Sequence, residues 1–591
     1  MPTEVLPIRE LGTAGLVQDT PAVSLPPNVF TNAENVRFRD GAARKMTGEA
    51  PIPAITAANT VYSAFWPGPI NDYWVLVSNV GQVTVYNAAS PTPIIAGTMT
   101  TTADSLWQHT LFNGGFHFIL NNGTSTPMFL SDPVGAGTLT ELPNWDSYLT
   151  QETLATFEYS AQYADISLGQ DIPRQVGDAT LFADMEVRIT IVPRDTSSPI
   201  VTQTFTGIGT QGMVTLHDAD ANNEFPYLNG PGIVPGDIVT VAVVQTPAIN
   251  VRAGIIRSYG NLLVAGNLTE QDAGGVILRR LPGTVRTSDV AAPGAIPRNW
   301  NPFRLGVNTA DEFILSSTGV VQDMVELQGI LYIYTDSSIH ALQQTGSPQI
   351  PFQISPVTDS YGVDNTGGVL EVDGKHIVVG NDDVYVFAGH PGSISSIADG
   401  KVRHQDFWDS GPIYINRFQK YDELWFWKPA DAEMYIWNYR DNTWTRRNQT
   451  APVSMADREG TPILAISTGL RTVDDGFATT SFVERKRLAV TPEFDTEYLA
   501  SMAMLSRGNG TFDIRVIGTN ATGVVDADID LDPSTSTALS HSFNIIDEYK
   551  QDIRVHGRFL NYRITHIADT TMDNGFVLAG MQLDIGKGGT R

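Results

Sequence analysis

The chain has 591 residues, 42% of them hydrophobic and 17% charged, which is ample for packed cores and too little charge for a disordered chain. Acidic residues outnumber basic ones 64 to 37, and the formal net charge of -27 argues against a sequence-reading DNA binder, because neutralising phosphates needs a basic surface. The absence of cysteine excludes disulfides, thiolate chemistry and Cys-ligated zinc.

The first residues, MPTEVLPIRELGTAGL, lack a basic start followed by an apolar run, so no secretory signal is expected. No eighteen consecutive residues are apolar, so no membrane-spanning helix is expected either, and the chain reads as folding in a cytoplasm. Next comes LPPNVFTNAENVRFRDGAARKMTGEAP, Leu25–Pro51. Pro26 and Pro27 stiffen an extended lead-in, and Asp40-Gly41 is a hairpin turn signal, so Arg37 and Arg39 fall on one face of a strand. In so acidic a chain these two arginines are either paired within the fold or reach an acidic neighbour. Pairing within the fold is the expectation, because isolated surface ion pairs stabilise little.

Beyond this stretch short alternating strands are broken by Gly, Asn, Asp and Pro, and one hairpin unit recurs. It starts at Tyr73 (YWVLVSNVGQVTVYN), Phe116, Asn261, Ile330 (ILYIYTDSSIHALQ), His376 and Glu423, and more weakly at Pro462. Most starts lie roughly 40 to 47 residues apart, the period of a four-stranded propeller blade. The interval from Phe116 to Asn261 is far longer and predicts an inserted domain. Its strands read MEVRITIVPRD, GMVTLHDAD and DIVTVAVVQT. After Ser481 the blade period stops and long alternating strands predict a β-sandwich. The expected fold is therefore all-β: a β-propeller of about six to seven blades with an inserted small β domain and a C-terminal β-sandwich. Residues 1–145 would carry the N-terminal stretch and first blades, 146–255 the insertion (a small sandwich or barrel), 256–480 the remaining blades and 481–591 the sandwich.

Signals for chemistry are thin. HExxH, Walker, GxSxG and helix-opening GxGxxG motifs are all missing. His109 and His117 flank a Gly-Gly turn and read as two strand histidines of a hairpin rather than a metal pair. Asp218, Asp220, Asn222 and Glu224 alternate as a calcium loop would, but Asn223 stands where such a loop needs Gly and Asn229 where it needs Glu, so a polar surface turn is favoured. Asp526, Asp528, Asp530 and Asp532 put four carboxylates on one face of an extended segment and read as a solvated edge strand. The aromatics of LWFWKP, Leu424 to Pro429, with Tyr435, Trp437, Tyr439 and Trp444, could stack on sugars. Their alternation on both faces of one strand fits core packing better. No enzyme and no cofactor is expected.

Three stretches resemble the tail nozzle family of short-tailed bacteriophages (podoviruses), the tail proteins that stabilise packaged DNA. The first is the Leu25–Pro51 stretch, through Leu25, Pro26, Pro27, Asn35, Val36, Arg37, Phe38, Arg39, Asp40 and Gly41, which in that family leads into the first blade. The second runs from NWNPFRLG through LYIYTDSSI to NYRDNTW, ending at Trp444. The third is VHGRFLNYRITH, with Gly557, Arg558 and Arg563. The resemblance implies a homohexameric ring in the virion tail, below the portal and adaptor, assembled in a bacterial cytoplasm. Its partners would be the phage adaptor and tail ring proteins, tail fibres and the host envelope. Viral DNA would pass the channel without tight binding, held in until infection. The inserted segment has no counterpart in the resemblance. The alternative is a receptor-binding or glycan-degrading tail protein, whose usual short-period β-helical repeats are not visible. A cellular propeller scaffold would explain the blades but not the Leu25 to Gly41 stretch.

Overall fold

In the computed structural model, the structure describes residues 3–143, 145 and 250–587 apart from positions 54, 56–58, 135–137, 273, 301–308, 348–350, 381–382, 410, 477–479, 490–495, 521–528, 537, 545–549 and 568–574, and between 146 and 249 it describes six strands. The described chain is all-β. Its α-helix content, among the described residues, is the single turn Asp406–Asp409. Two compact units form: residues 1–67, 72–97 and 362–591 in one, residues 68–71 and 98–361 in the other.

The repeated hairpins are strands two and three of four-stranded antiparallel meanders, the blades of a β-propeller. Seven such sheets are present among the described residues. In the first unit one blade runs Thr60–Pro67, Asp72–Ser78, Gln82–Asn87, Pro93–Thr98. Another is Val369–Val372, Lys375–Gly380, Asp383–Phe387, Ser395–Ser396. The aromatic blade is Tyr414–Phe418, Glu423–Trp427, Glu433–Asn438, Thr443–Asn448. A fourth, Ser454–Arg458, Thr461–Ile466, Gly469–Thr472, is completed by the distant Ala50–Pro51, where Arg471 faces Pro51. The second unit holds three blades, with second strands His117–Asn121, Leu262–Gln271 and Ile330–Thr335.

A blade sheet is apolar on both faces, so each blade needs a neighbour. Trp425, Trp427 and Met434 of the aromatic blade pack with Met455 and Leu464 of the next, whose Ile463 and Leu470 in turn meet Phe65, Trp74 and Tyr86. In the second unit Ile255, Val264 and Val285 pack against Met324, Leu331 and Ile333.

The insertion is a small β domain. One sheet has the order Glu152–Glu158, Ile238–Gln245, Met185–Val192, Val201–Thr206, and Tyr163–Ser167 pairs with Met213–His217. The chain returns to the blades at Asn250–Tyr259, a strand that crosses the expected boundary at 255.

The C-terminal β-sandwich takes in the N-terminus, which sequence alone placed with the first blades. Thr3–Arg9 and the hairpin Val36–Arg39/Ala42–Lys45 all join Phe576–Lys587, in a sheet that continues through Glu497–Gly508 to Lys550–Gly557. The second sheet has nine strands, because Asn32–Glu34 couples the aromatic blade to Thr480–Leu488, Phe559–Ile567, Thr511–Thr519 and Leu539–Asn544. Between them lies the core of Val36, Phe38, Phe512, Ile514, Leu560, Ile564, Leu578 and Leu583, continuous with Phe426 and Trp444 of the blade.

Candidate functional site

The Leu25–Gly41 stretch is a joint between a blade and the sandwich. After the short helical turn Ala22–Ser24, Leu25 is extended, and its carbonyl accepts a 2.7 Å hydrogen bond from buried Arg485. Pro26 accepts the amide of Val29 at 3.2 Å, and Phe30, fully buried, stacks on Phe38 at 5.6 Å. Pro27 carries the chain between these two anchors. Asn32–Glu34 then lies parallel to the blade strand (Glu34 beside Arg446) and antiparallel to the sandwich strand (Asn32 beside Glu484).

Asn35 ends this short strand with a φ of 56°, the left-handed region that Asn tolerates better than most residues. Its amide donates to Arg446 O at 2.9 Å and its Nδ2 to Thr480 O at 2.9 Å, while its Oδ1 accepts from Asn448 N at 3.1 Å and its carbonyl from Met46 N at 3.0 Å. One side chain thus bonds the strands on both sides and turns the chain into the other sheet. Asp40 and Gly41, at φ 52° and 70°, close the hairpin in the mirror-image turn that two-residue loops favour. The Asp40 carboxylate lies 3.0 Å from Arg44, and its amide donates to Asp441 at 3.2 Å.

Arg37 and Arg39 are both paired within the fold, through carboxylates at the head of the aromatic strand. Arg37, 4% exposed, forms a two-pronged ion pair with Glu423, and its guanidinium lies 3.4 Å from the centre of the Tyr421 ring. Arg39 meets Asp422 at 3.2 Å. Glu423, 1% exposed, also accepts from Trp425 Nε1 at 3.1 Å. On the same face of the strand pair, buried Arg447 sits over the Trp425 ring at 4.7 Å, and burial pushes its guanidinium down to about 10. The carboxylates of Glu49 and Glu423 both offset the burial of Arg447, while the Arg37 charge opposes it.

Trp444 is fully buried beside Phe426 (5.3 Å) and Trp408 (5.9 Å), with its Nε1 donating to Ile397 O at 3.0 Å. Trp425, Phe426 and Trp427 are buried on both strand faces, which leaves no stacking platform there for sugars. A Cβ on Gly557 would come 2.7 Å from Gly518 Cα, so Gly557 permits a close strand crossing. Arg558, exposed, anchors that crossing through its amide, to Thr519 O at 3.0 Å and Asn520 Oδ1 at 3.2 Å. Arg563 packs over Phe482 at 3.5 Å and pairs with Glu484 at 3.6 Å.

The sequence candidates for chemistry do not converge. His109 and His117 stand on the paired strands Gln108–Phe112 and His117–Asn121, opposite Leu120 and Phe112. His109 stacks on Phe118, and burial with the Arg257 charge lowers it to about 4. Asp218, Asp220, Asn222, Glu224, Asp526 and Asp528 lie outside the described residues. Asp530 accepts the Asp532 amide at 2.9 Å, and Asp532 binds Ser534 and lies 3.9 Å from Arg563.

Sequence reasoning missed the residues that complete the joint. Lys45, buried, donates to His566 Nδ1 at 3.0 Å, while His566 Nε2 bonds Asn509 O at 2.8 Å. A carbonyl only accepts, so the histidine proton sits on Nε2 and the ring is neutral. Burial holds Lys45 down at about 8 and His566 at about 4. Burial likewise raises Glu34 and Glu484, the latter against Lys486 and Arg563, both at 3.6 Å. The only local signal was Asp422-Glu423 immediately before an apolar strand. The arrangement fastens sheets together.

No protein-family model matches the chain, and no curated protein matches it. Among solved structures it is similar to a chain of the mitotic checkpoint complex, at 10% identity and a TM-score of 0.34, over 77% of this chain and 97% of that one. It is also similar to BamB from Moraxella catarrhalis, at 11% identity and a TM-score of 0.32, over 73% and 96%. Likeness at this level carries nothing about function.

Proposed function

We propose that the chain is a structural virion protein, the tail nozzle of a short-tailed bacteriophage: an oligomeric ring, a homohexamer on the family resemblance, that surrounds the DNA channel, retains the genome and permits its ejection. The observation that carries this reading is the use made of the Leu25–Gly41 stretch. The residues that resemble the family are engaged in fastening a propeller blade to the sandwich, through Asn35, Arg37 and Arg39, which suits a wall that must withstand the release of packed DNA. The formal charge of -27 supports a passive channel, since an acidic wall repels duplex instead of gripping it. Adaptor and tail ring proteins are its expected neighbours. Electron microscopy of virions made with and without this gene product tests the reading: particles should lose the distal tail and their DNA. Intact tails without it, or depolymerisation of host surface glycan by the purified chain, would overturn it in favour of a receptor-binding or glycan-degrading role.

A further inference from the structure

The blade Asn250–Tyr259, Leu262–Gln271, Ile277–Thr287, Asp311–Ile314 has one strand much longer than its outer neighbour. Asp311–Ile314 covers only Thr284–Thr287. Ile277–Leu281 is hydrogen-bonded to Leu268–Gln271 on one side, and no described strand pairs with its other side. That leaves a row of outward N–H and C=O groups, a template for another strand. Edges of this kind are usually guarded by Lys, Pro or shortness. Here Pro282 comes only at the far end, and the strand opens on Val276, Ile277 and Leu278, exposed by 62%, 41% and 47%. A bulge opposite Glu270 and Gln271 takes Leu278 out of the alternation, so it stands in solvent next to Ile277. Contiguous exposed aliphatics on an open edge mark an interaction site.

Charge indicates the occupant. The edge carries Arg279 and Arg280: Arg279 is bridged to Glu270 at 2.7 Å, while Arg280 is exposed and makes no ion pair with a described residue. A chain with a formal charge of -27 offers mostly acidic surface, so a basic, apolar edge is complementary to another copy of the same chain. We propose that Ile277–Leu281 docks a second copy of this chain by strand addition, with Ile277 and Leu278 buried at the contact and Arg280 facing its acidic surface. This names a subunit interface and rests on the ring reading above.

Mass photometry and light scattering of the full chain over a range of concentrations provide the test. The wild type should be an oligomer. Ile277→Asp/Leu278→Asp should dissociate it, and Ile277→Thr/Leu278→Thr, which keeps strand propensity, should raise the dissociation constant by roughly tenfold per residue. Arg280→Glu should weaken assembly at low salt and much less at high salt. Circular dichroism matching the wild type checks that the variants fold, as expected for exposed positions. An oligomeric wild type whose threonine variant assembles unchanged overturns this interface and leaves the ring standing. A wild type monomeric at every concentration removes both.

Discussion

Glu423→Gln is the sharpest test of how the joint is held. Glu423 and Arg37 are 1% and 4% exposed, so neither reaches solvent when its partner is lost. Removing one member of a buried pair destabilises by about 3–5 kcal/mol, because the remaining charge stays buried and uncompensated. In this protein Arg37 is left without its carboxylate, while Arg447 loses one of its two acidic neighbours and keeps Glu49, which places the expected loss within that range. Arg37→Met should cost less, since it leaves Glu423 with the Trp425 Nε1 donor and Arg447 nearby. The double variant Arg37→Met/Glu423→Gln removes both charges and should fall short of the sum of the singles by about 1–3 kcal/mol. Urea unfolding followed by tryptophan fluorescence reads the relevant unit, since Trp408, Trp425, Trp427, Trp437 and Trp444 all lie around this strand. A Glu423→Gln variant within about 1 kcal/mol of wild type, or strict additivity in the double, would refute the reasoning.

Asn35→Ala should destabilise more than Asn35→Gly by about 1–2 kcal/mol, the cost of left-handed backbone for a residue with a Cβ, since both lose the same side-chain bonds; thermal unfolding of the pair measures it. His109 and His566 sit near 4 in the folded state against an ordinary 6.5, so the folded state binds fewer protons between those values. Their contribution is complete above pH 6.5 and lost as pH falls through 4, which should appear as an acid limb in denaturant midpoints. Lys45, held at about 8, makes stability rise as pH increases from 8 to its ordinary 10.5, and Lys45→Met should flatten that alkaline limb. Duplex DNA titrated at low salt should bind no tighter than about the micromolar non-specific range; tighter binding would contradict a passive acidic channel.

The blades were legible because their second and third strands carry aromatic and β-branched runs around tight turns, as in ILYIYTDSSIHALQ. Their first and fourth strands were not, because edge strands such as Ser395–Ser396 and Ala50–Pro51 are short and mixed. The aromatic strand read as core, and Arg37 and Arg39 read as fold-internal, from burial logic alone. Their partners could not be read: Glu423 is 386 positions from Arg37, and nothing local marks so distant a pair. For the same reason the first strand and the hairpin at Asp40-Gly41 were placed beside the first blades, whereas their hydrogen-bonding partner is Phe576–Lys587. Lys45 and His566 each looked ordinary in sequence, and only the sheet pairing brings them together.

The pairing of Thr3 with Gly586 and of Arg9 with Gly580 also sets a schedule for synthesis. Thr3–Arg9 is made well before Phe576–Lys587, the strand it pairs with, and has to wait for it. At roughly 5–20 residues per second that delay is on the order of half a minute to two minutes. Throughout it Val36, Phe38 and Ile8, all buried in the finished protein, have no sandwich core to enter. Nascent chains should therefore recruit chaperones at these strands, and a product truncated before Phe576 should leave them uncovered permanently.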